Sequence, residues 1–281
     1  MPTIMTDRAE IKISFLGTGS GTSIHRAHTS IALECADGTH LLLDAGSGNS
    51  VLRNAAQLGI LGPGFDQLLL SHHHPDHMDG LLFLQFWRTR SSPEGPPLRV
   101  YSTEEALEGA RKLCMTSRLN LASVDQDGAY TAEGRQVLRW EATQDGRWVQ
   151  LGATTRATAF PVDHISGAVG WRVESGGVSV VFSGDTRFSP NLVAAAKGAR
   201  LLIHEAFCTE TDKEYANTQR HSTGADAGRA AAQAGVAELV ITHIATPFHF
   251  NPQPLADDAR RYFDGPISVA SDLYQMTVGG A

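Results

Sequence analysis

His72, His74, Asp76 and His77 fall within six consecutive positions of the stretch LLLSHHHPDH, in the spacing H-x-H-x-D-H. Imidazole nitrogen and carboxylate oxygen are ligands that divalent first-row metals accept, and a polar loop at a strand's end aims alternate side chains at different points. One such loop can therefore serve two metals side by side. A histidine-rich tract standing alone is, by composition, better read as a solvated loop. Here the interleaved aspartate and the apolar run Leu68, Leu69, Leu70 before it argue for a site.

The elements that must position these residues repeat one event: an apolar strand that ends in a histidine or an acidic residue. A strand over 156–161 leads to His164, one over 178–182 to Asp185, one over 200–203 to His204-Glu205, and one over 238–242 to His243. His221-Ser222-Thr223 stands before an Ala-rich helix over 224–234, with Ser222 or Thr223 placed to cap it. Strand ends from distant segments can in this way converge on one pocket edge. The first strand, 11–16, opens into the glycine loop 17–21. No helix follows it directly, so a nucleotide-binding loop is not indicated.

Further along, the pattern predicts a hairpin turned at Asp37-Gly38, an amphipathic helix over 49–58 stopped by Gly59, and a buried helix beginning just past His77. A strand over 98–101 backed by a helix over 103–117, and a hairpin turned at 175–177, come next. The region 86–150 is the expected substrate-wall insertion. His25 and His28 are expected at the surface or pocket wall, His40 within a strand, and His73 and His204 in packing roles beside the ligands.

The chain has 281 residues and is 42% apolar, enough for a single domain over 1–281 without staples. Cys35, Cys114 and Cys208 are far apart and form no C-x-x-C pair, which fits buried reduced thiols. A net charge of −7 gives no general attraction to polyphosphate, so nucleic acid is not favoured on that ground. No apolar run reaches the length of a membrane span, and MPTIMTDRAEIK lacks a signal-peptide core. A cytoplasmic protein with no membrane association is expected.

Eight stretches in order then carry a resemblance: FLGTGSG at 15–21, LLLDAG at 41–46, SHHHPDH at 71–77, His164 before VGWR, SGDT at 183–186, LLIHEA at 201–206, HST at 221–223 and ITH at 241–243. From Ile13 to about Val278 the chain resembles a metallo-β-lactamase-fold hydrolase, most closely the ribonuclease Z-like branch. The resemblance implies an α/β fold, a four-layer αββα sandwich with metals at the rim between two related halves. It implies that His72, His74 and His164 hold a first metal, that Asp76, His77 and His243 hold a second, and that Asp185 bridges them. This nitrogen and oxygen set without thiolate suits two divalent ions, zinc first, with manganese or iron as alternatives. Water on such metals has its pKa lowered to about 7, so a bridging hydroxide is the expected nucleophile.

The catalytic residues so implied are Asp76, Glu205 and His221. Glu205 and His221 correspond to a proton relay in which the carboxylate orients an imidazole that donates to the leaving oxygen. One departure stands out. The bacterial relatives carry a long Gly/Pro/Lys-rich arm between the lone histidine and the GDT aspartate, whereas here only a hairpin separates His164 from Asp185. Together with the acidic charge, this leads to the expectation of a phosphodiester hydrolase acting on a small-molecule ester substrate, as a homodimer. Arylsulfatase or a promiscuous ester, lactone or β-lactam hydrolase is the alternative. Further alternatives are a tRNA 3′-processing endoribonuclease and a mono-iron persulfide dioxygenase, which shares the H-x-H-x-D-H loop.

Overall fold

The computed structural model describes residues 9–61, 64–91, 95–116, 123–124, 130–132 and 135–279. Apolar strands that must be covered on both faces assemble into two seven-stranded sheets. The first runs in the order Gln275–Gly279, Glu10–Gly17, Ser30–Glu34, His40–Leu43, Gln67–Leu69, Leu98–Ser102, Leu138–Ala142. The second runs Trp148–Gln150, Thr155–Pro161, Val169–Ser175, Val178–Phe182, Leu201–Glu205, Leu239–Thr242, Ile267–Val269. In each sheet the first four strands pair antiparallel and the last four parallel. The two halves of the chain thus repeat one plan.

Facing residues of the two sheets fill a central core. Ile11, Ile13, Phe15, Leu41 and Leu43 from one side meet Trp171, Val173, Val180, Phe182 and Ile203 from the other. The outer face of the first sheet packs Leu42, Leu68 and Val100 under helices Ser50–Gln57, Gly80–Ser91 and Glu104–Thr116. The outer face of the second packs Val181, Leu202 and Ile241 under Pro190–Ala195, Gly224–Ala234 and Gln253–Arg260. Parallel strands buried on both faces lose the alternation of a half-exposed strand, which is why they read as LLL, LLI and LVI. The layers are helix, sheet, sheet, helix: the expected αββα sandwich.

The Ala-rich helix Gly224–Ala234 begins at Thr223, which accepts from Asp226 N while Asp226 accepts from Thr223 N, and ends at Gly235 in the left-handed region. Its small side chains let the next helix approach closely: a Cβ on Gly228 would lie 2.3 Å from the Ala259 carbonyl oxygen. The hairpin between Val169–Ser175 and Val178–Phe182 turns through Gly176 and Gly177, at φ +57 and +87, as a two-residue turn requires. It is all that the chain places between the His164 loop and Asp185, apart from a short stretch at either end.

Within 86–150, strands Leu98–Ser102, Leu138–Ala142 and Trp148–Gln150 take places in the two sheets; residues 92–94, 117–122, 125–129 and 133–134 lie outside the described residues. Among the described residues no helix is long and apolar enough to cross a membrane. The parallel strands point their C-terminal ends at one edge, the position where open α/β sheets gather ligands.

Candidate metal centre

At that edge the strand Gln67–Leu69 passes into Ser71 and the histidine loop. His74 stays extended, Pro75 opens a one-turn helix, Pro75–Met78, and the chain reverses so that Asp76 and His77 face away from His73. His73 packs instead against Gly109 of the neighbouring helix. The C-terminal ends of Val178–Phe182 and Leu239–Thr242 bring Asp185 and His243 alongside, and the loop after Thr155–Pro161 brings His164.

The result is two groups sharing one residue. One ligand atom each from His72, His74, His164 and Asp185 lie within 4.8 Å of one another, as do those of Asp76, His77, Asp185 and His243. Asp185 Oδ2 is 3.7 Å from His72 Nε2 and from His164 Nε2, and 3.3 Å from His77 Nε2 and from His243 Nε2. His74 Nδ1 is 3.0 Å from His72 Nε2 and 3.1 Å from His164 Nε2.

Hydrogen bonds behind the rings decide which nitrogen faces inward. Ser71 Oγ donates to Asp44 Oδ2 at 2.7 Å and so accepts from His72 Nδ1 at 2.9 Å. His77 Nδ1 donates to Asp44 Oδ2 at 2.7 Å, and His164 Nδ1 to the Arg220 carbonyl at 3.0 Å. Each of these three rings then turns an Nε2 lone pair to the centre. His72 Nε2 and His164 Nε2 both lie about 3 Å from His74 Nδ1, which can donate to only one of them, so lone pairs face each other in the other contact unless a cation lies among them. His77 Nε2 and Asp185 Oδ1, both buried, also have no hydrogen-bond partner among the described residues. The donor set therefore fits divalent metal ions.

The electrostatics favour ligation at His72, His74, Asp76 and Asp185, whereas His77 carries a proton that a bound metal would displace. Burial, and then the neighbouring histidines, push His72 well below its usual pKa and His74 to about 4, leaving both neutral as ligation demands. Burial opposes ionisation of Asp76 and Asp185, but the histidines around them, His77 and His243 foremost, hold both well below the usual carboxylate range. Burial likewise opposes charge on His77, yet Asp185, Asp76 and Asp44 raise it well above its ordinary value.

Beside this centre stands the pair Glu205 and His221, which with His243 forms a third close group. Glu205 is fully buried at the end of Leu201–Glu205. Its Oε1 accepts from His221 Nδ1 at 2.9 Å and from Thr186 N at 2.7 Å, and its Oε2 from Ser222 N at 3.1 Å. The His221 ring lies flat on Phe207, centroids 4.5 Å apart with planes 9° off parallel. Burial works against the imidazolium, but the Glu205 carboxylate outweighs it and raises His221 to about 9. His204, one residue before Glu205, is buried with Nδ1 on the Glu205 carbonyl at 2.6 Å, outside all three groups. His28 bonds Ser47 Oγ, and His25 is exposed.

Asp44 is the site residue that spacing did not single out. It is buried at φ +56, accepts from Ser71 N at 2.6 Å, and ties His77 to Ser71. The available signal was an acidic residue ending the apolar run LLL before Ala45-Gly46. Asparagine tolerates that backbone but removes the charge. Asp44→Asn is expected to weaken metal binding by about 10- to 100-fold, as read by competition with a chromogenic chelator. An unchanged affinity would show that Asp44 serves packing alone.

A sandwich of this layering gathers histidines and aspartates at the strand ends into a site suited to divalent metal ions. Comparison with known proteins places it further. Residues 39–244 match the Beta-lactamase superfamily domain. The chain is 30% identical over 312 residues to "Ribonuclease Z" of Myxococcus xanthus (strain DK1622), covering 95% of this chain and 97% of that protein. It is 32% identical over 289 residues to "Ribonuclease Z" of Mycobacterium sp. (strain KMS), covering 95% and 96%. Among solved structures, the metallo-β-lactamase fold protein YhfI of Bacillus subtilis superposes with a TM-score of 0.76 at 24% identity, covering 95% of this chain and 99% of that one. Human tRNase Z, short form, does so with 0.73 at 21%, covering 96% and 100%. The chain belongs to the beta-lactamase superfamily and is a ribonuclease Z-like, metal-dependent hydrolase of phosphodiesterase type.

These relatives correct one expectation. A small-molecule ester substrate, with nucleic acid not favoured, conflicts with relatives along nearly the whole chain that are named for acting on RNA. The expectation rested on the missing arm and on charge, and the charge argument fails physically: a net −7 sums the whole surface, whereas fields in salt reach only about 8 Å. A polyanion meets the local field of the site.

Proposed function

We propose that this chain cleaves an RNA phosphodiester at a dinuclear metal centre, with a 3′-extended tRNA precursor as the substrate class. The observation that carries the reading is the buried Glu205–His221 pair beside Asp185: an imidazole whose Nδ1 is committed to Glu205, whose Nε2 has no hydrogen-bond partner among the described residues, and whose pKa that carboxylate raises to about 9. Such an acid is most useful when the leaving group is a poor one, as a sugar hydroxyl is. The ribonuclease Z relatives support RNA as the polymer that supplies it.

In this reading His72, His74 and His164 would hold one ion and Asp76, His77 and His243 the other, with Asp185 belonging to both groups; zinc would suit the nitrogen and oxygen donors best. The ions supply Lewis acidity toward the phosphoryl oxygens and make water a usable nucleophile near neutral pH. The chain's own residues do the rest. Asp76 is kept ionised, as a ligand must be, and Gly21 lies against it: a Cβ there would lie 3.1 Å from Asp76 Oδ2. His221 Nε2 delivers the proton to the departing sugar oxygen, and Glu205 fixes the ring and offsets its charge. The test is cleavage of an end-labelled precursor tRNA by zinc-loaded protein, with loss on chelation and recovery on adding zinc. Protein carrying two equivalents of metal that leaves every RNA intact would sink the proposal, and full activity at one equivalent would sink its dinuclear part.

A further inference from the structure

Arg220 precedes His221 at φ +59, in the region where glycine is the residue of least strain. Non-glycine residues persist there only where surrounding contacts hold them, and they cluster at working sites. Three hydrogen bonds hold Arg220: its N–H donates to the Asn217 carbonyl at 3.2 Å, its carbonyl accepts from His164 Nδ1 at 3.0 Å, and its Nη1 donates to the His164 carbonyl at 2.6 Å. Next to His164, Asp163 takes Arg187 as a two-point partner, Nε at 2.9 Å and Nη2 at 2.9 Å, and lies 3.7 Å from Arg220 Nη1. The segments carrying His164, Asp185 and His221 are thus tied at one rim by two arginines and one aspartate.

The carbonyl alone would orient His164, and glycine would offer that carbonyl without strain. What arginine adds is a cation. Asp163 is already matched by Arg187, so the rim keeps an excess of positive charge. The Arg220 side chain is 55% exposed, and its Nε and Nη2 have no hydrogen-bond partner among the described residues. One nitrogen anchors the guanidinium, and its remaining edge is open. The imidazole of His164 lies between the Arg220 carbonyl and the ligand cluster, with Nδ1 on the one and Nε2 toward the other, so Arg220 is the immediate neighbour of a ligand residue. In a chain of net charge −7, a polyanion must be held by such local cations.

We propose that Arg220 binds a phosphate of the RNA neighbouring the scissile one, a substrate-positioning contact that rests on the RNA-cleavage reading above. Planar guanidinium donors suit phosphate oxygens, and each phosphate contact adds to the salt dependence of binding.

The experiment compares wild type with Arg220→Gly and Arg220→Lys on two substrates: a 3′-extended precursor tRNA, and bis(p-nitrophenyl) phosphate, a single diester with no neighbouring phosphate. Glycine keeps the carbonyl and relieves the backbone. Arg220→Gly is expected to raise KM for the RNA about tenfold and to lower the slope of log kcat/KM against log salt by about one. Its kcat/KM on the single diester should fall by less than on the RNA, because the lost Nη1 bond to the His164 carbonyl bears on both substrates while the lost phosphate contact bears on the RNA alone. Arg220→Lys should recover most of the salt slope. Equal slowing on both substrates, or an unchanged salt slope, would overturn the proposal and leave Arg220 as a support for His164 only. Wild-type protein that hydrolyses the single diester but no RNA would overturn the RNA reading itself, and that outcome is visible before any variant is made.

Discussion

Asp185→Ala is expected to abolish turnover, by on the order of 10³-fold or more, and to lower metal content below two equivalents per chain. Asp185 belongs to both four-residue groups, and its Oδ2 lies within 3.7 Å of four histidine nitrogens. Removing it takes away the one counter-charge shared by both positions and leaves converging ring nitrogens with nothing between them. The transition-state stabilisation from a bound metal amounts to several kcal/mol, and each 1.4 kcal/mol is about tenfold in rate. Elemental analysis of the purified variant beside its rate on the single diester checks both halves. Two bound equivalents with normal turnover would remove Asp185 from the centre altogether.

His221→Ala is expected to lose about 10²- to 10⁴-fold in kcat on RNA while keeping its metal, because the proposed function puts the histidine on the proton path and it lies outside the two four-residue groups. The loss should shrink to about tenfold or less on bis(p-nitrophenyl) phosphate, whose phenolate departs without a proton. A variant equally impaired on both substrates would point to a structural role instead. The pH profile gives an independent check. The protonated imidazole is the active form, so the wild-type rate persists through neutral pH and falls as pH rises through the pKa of His221. That pKa is about 9 in the metal-free protein, and bound dications lower it. Glu205→Gln removes the carboxylate that raises this pKa, while burial still lowers it, so the alkaline limb should move to lower pH. A limb that stays in place would dissociate Glu205 from the titration.

Much of the site was legible along the chain because its information is local. LLLSHHHPDH states a buried strand, its end, and four donor side chains in one reading frame. Apolar runs bounded by His164, Asp185, Glu205 and His243 stated that several strands end in donors. Thr223 before the Ala-rich segment and Gly235 after it stated the helix and its two caps. The αββα layering was implied by the family resemblance those motifs carry, and the two sheets bear it out.

Other features are invisible to spacing. Asp44 lies 27 positions before Ser71 and 33 before His77, and only the parallel pairing of His40–Leu43 with Gln67–Leu69 sets it between them. Arg220 gives no sign in the sequence of its left-handed backbone or of its two bonds to His164, 56 positions away. The charge reading failed for a related reason: a sum over the chain holds no information about where charges stand. What the sequence determined by itself is which segments become strands and helices, and which residue types stand at their ends, since both depend on neighbours a few positions apart. What the tertiary structure decided is how those ends meet: Asp185 at the centre, His73 turned away, Glu205 on His221, Arg220 at the rim. These depend on sheet register and on the packing of two sheets, and in that geometry a shift of one residue would turn a ligand to the opposite face.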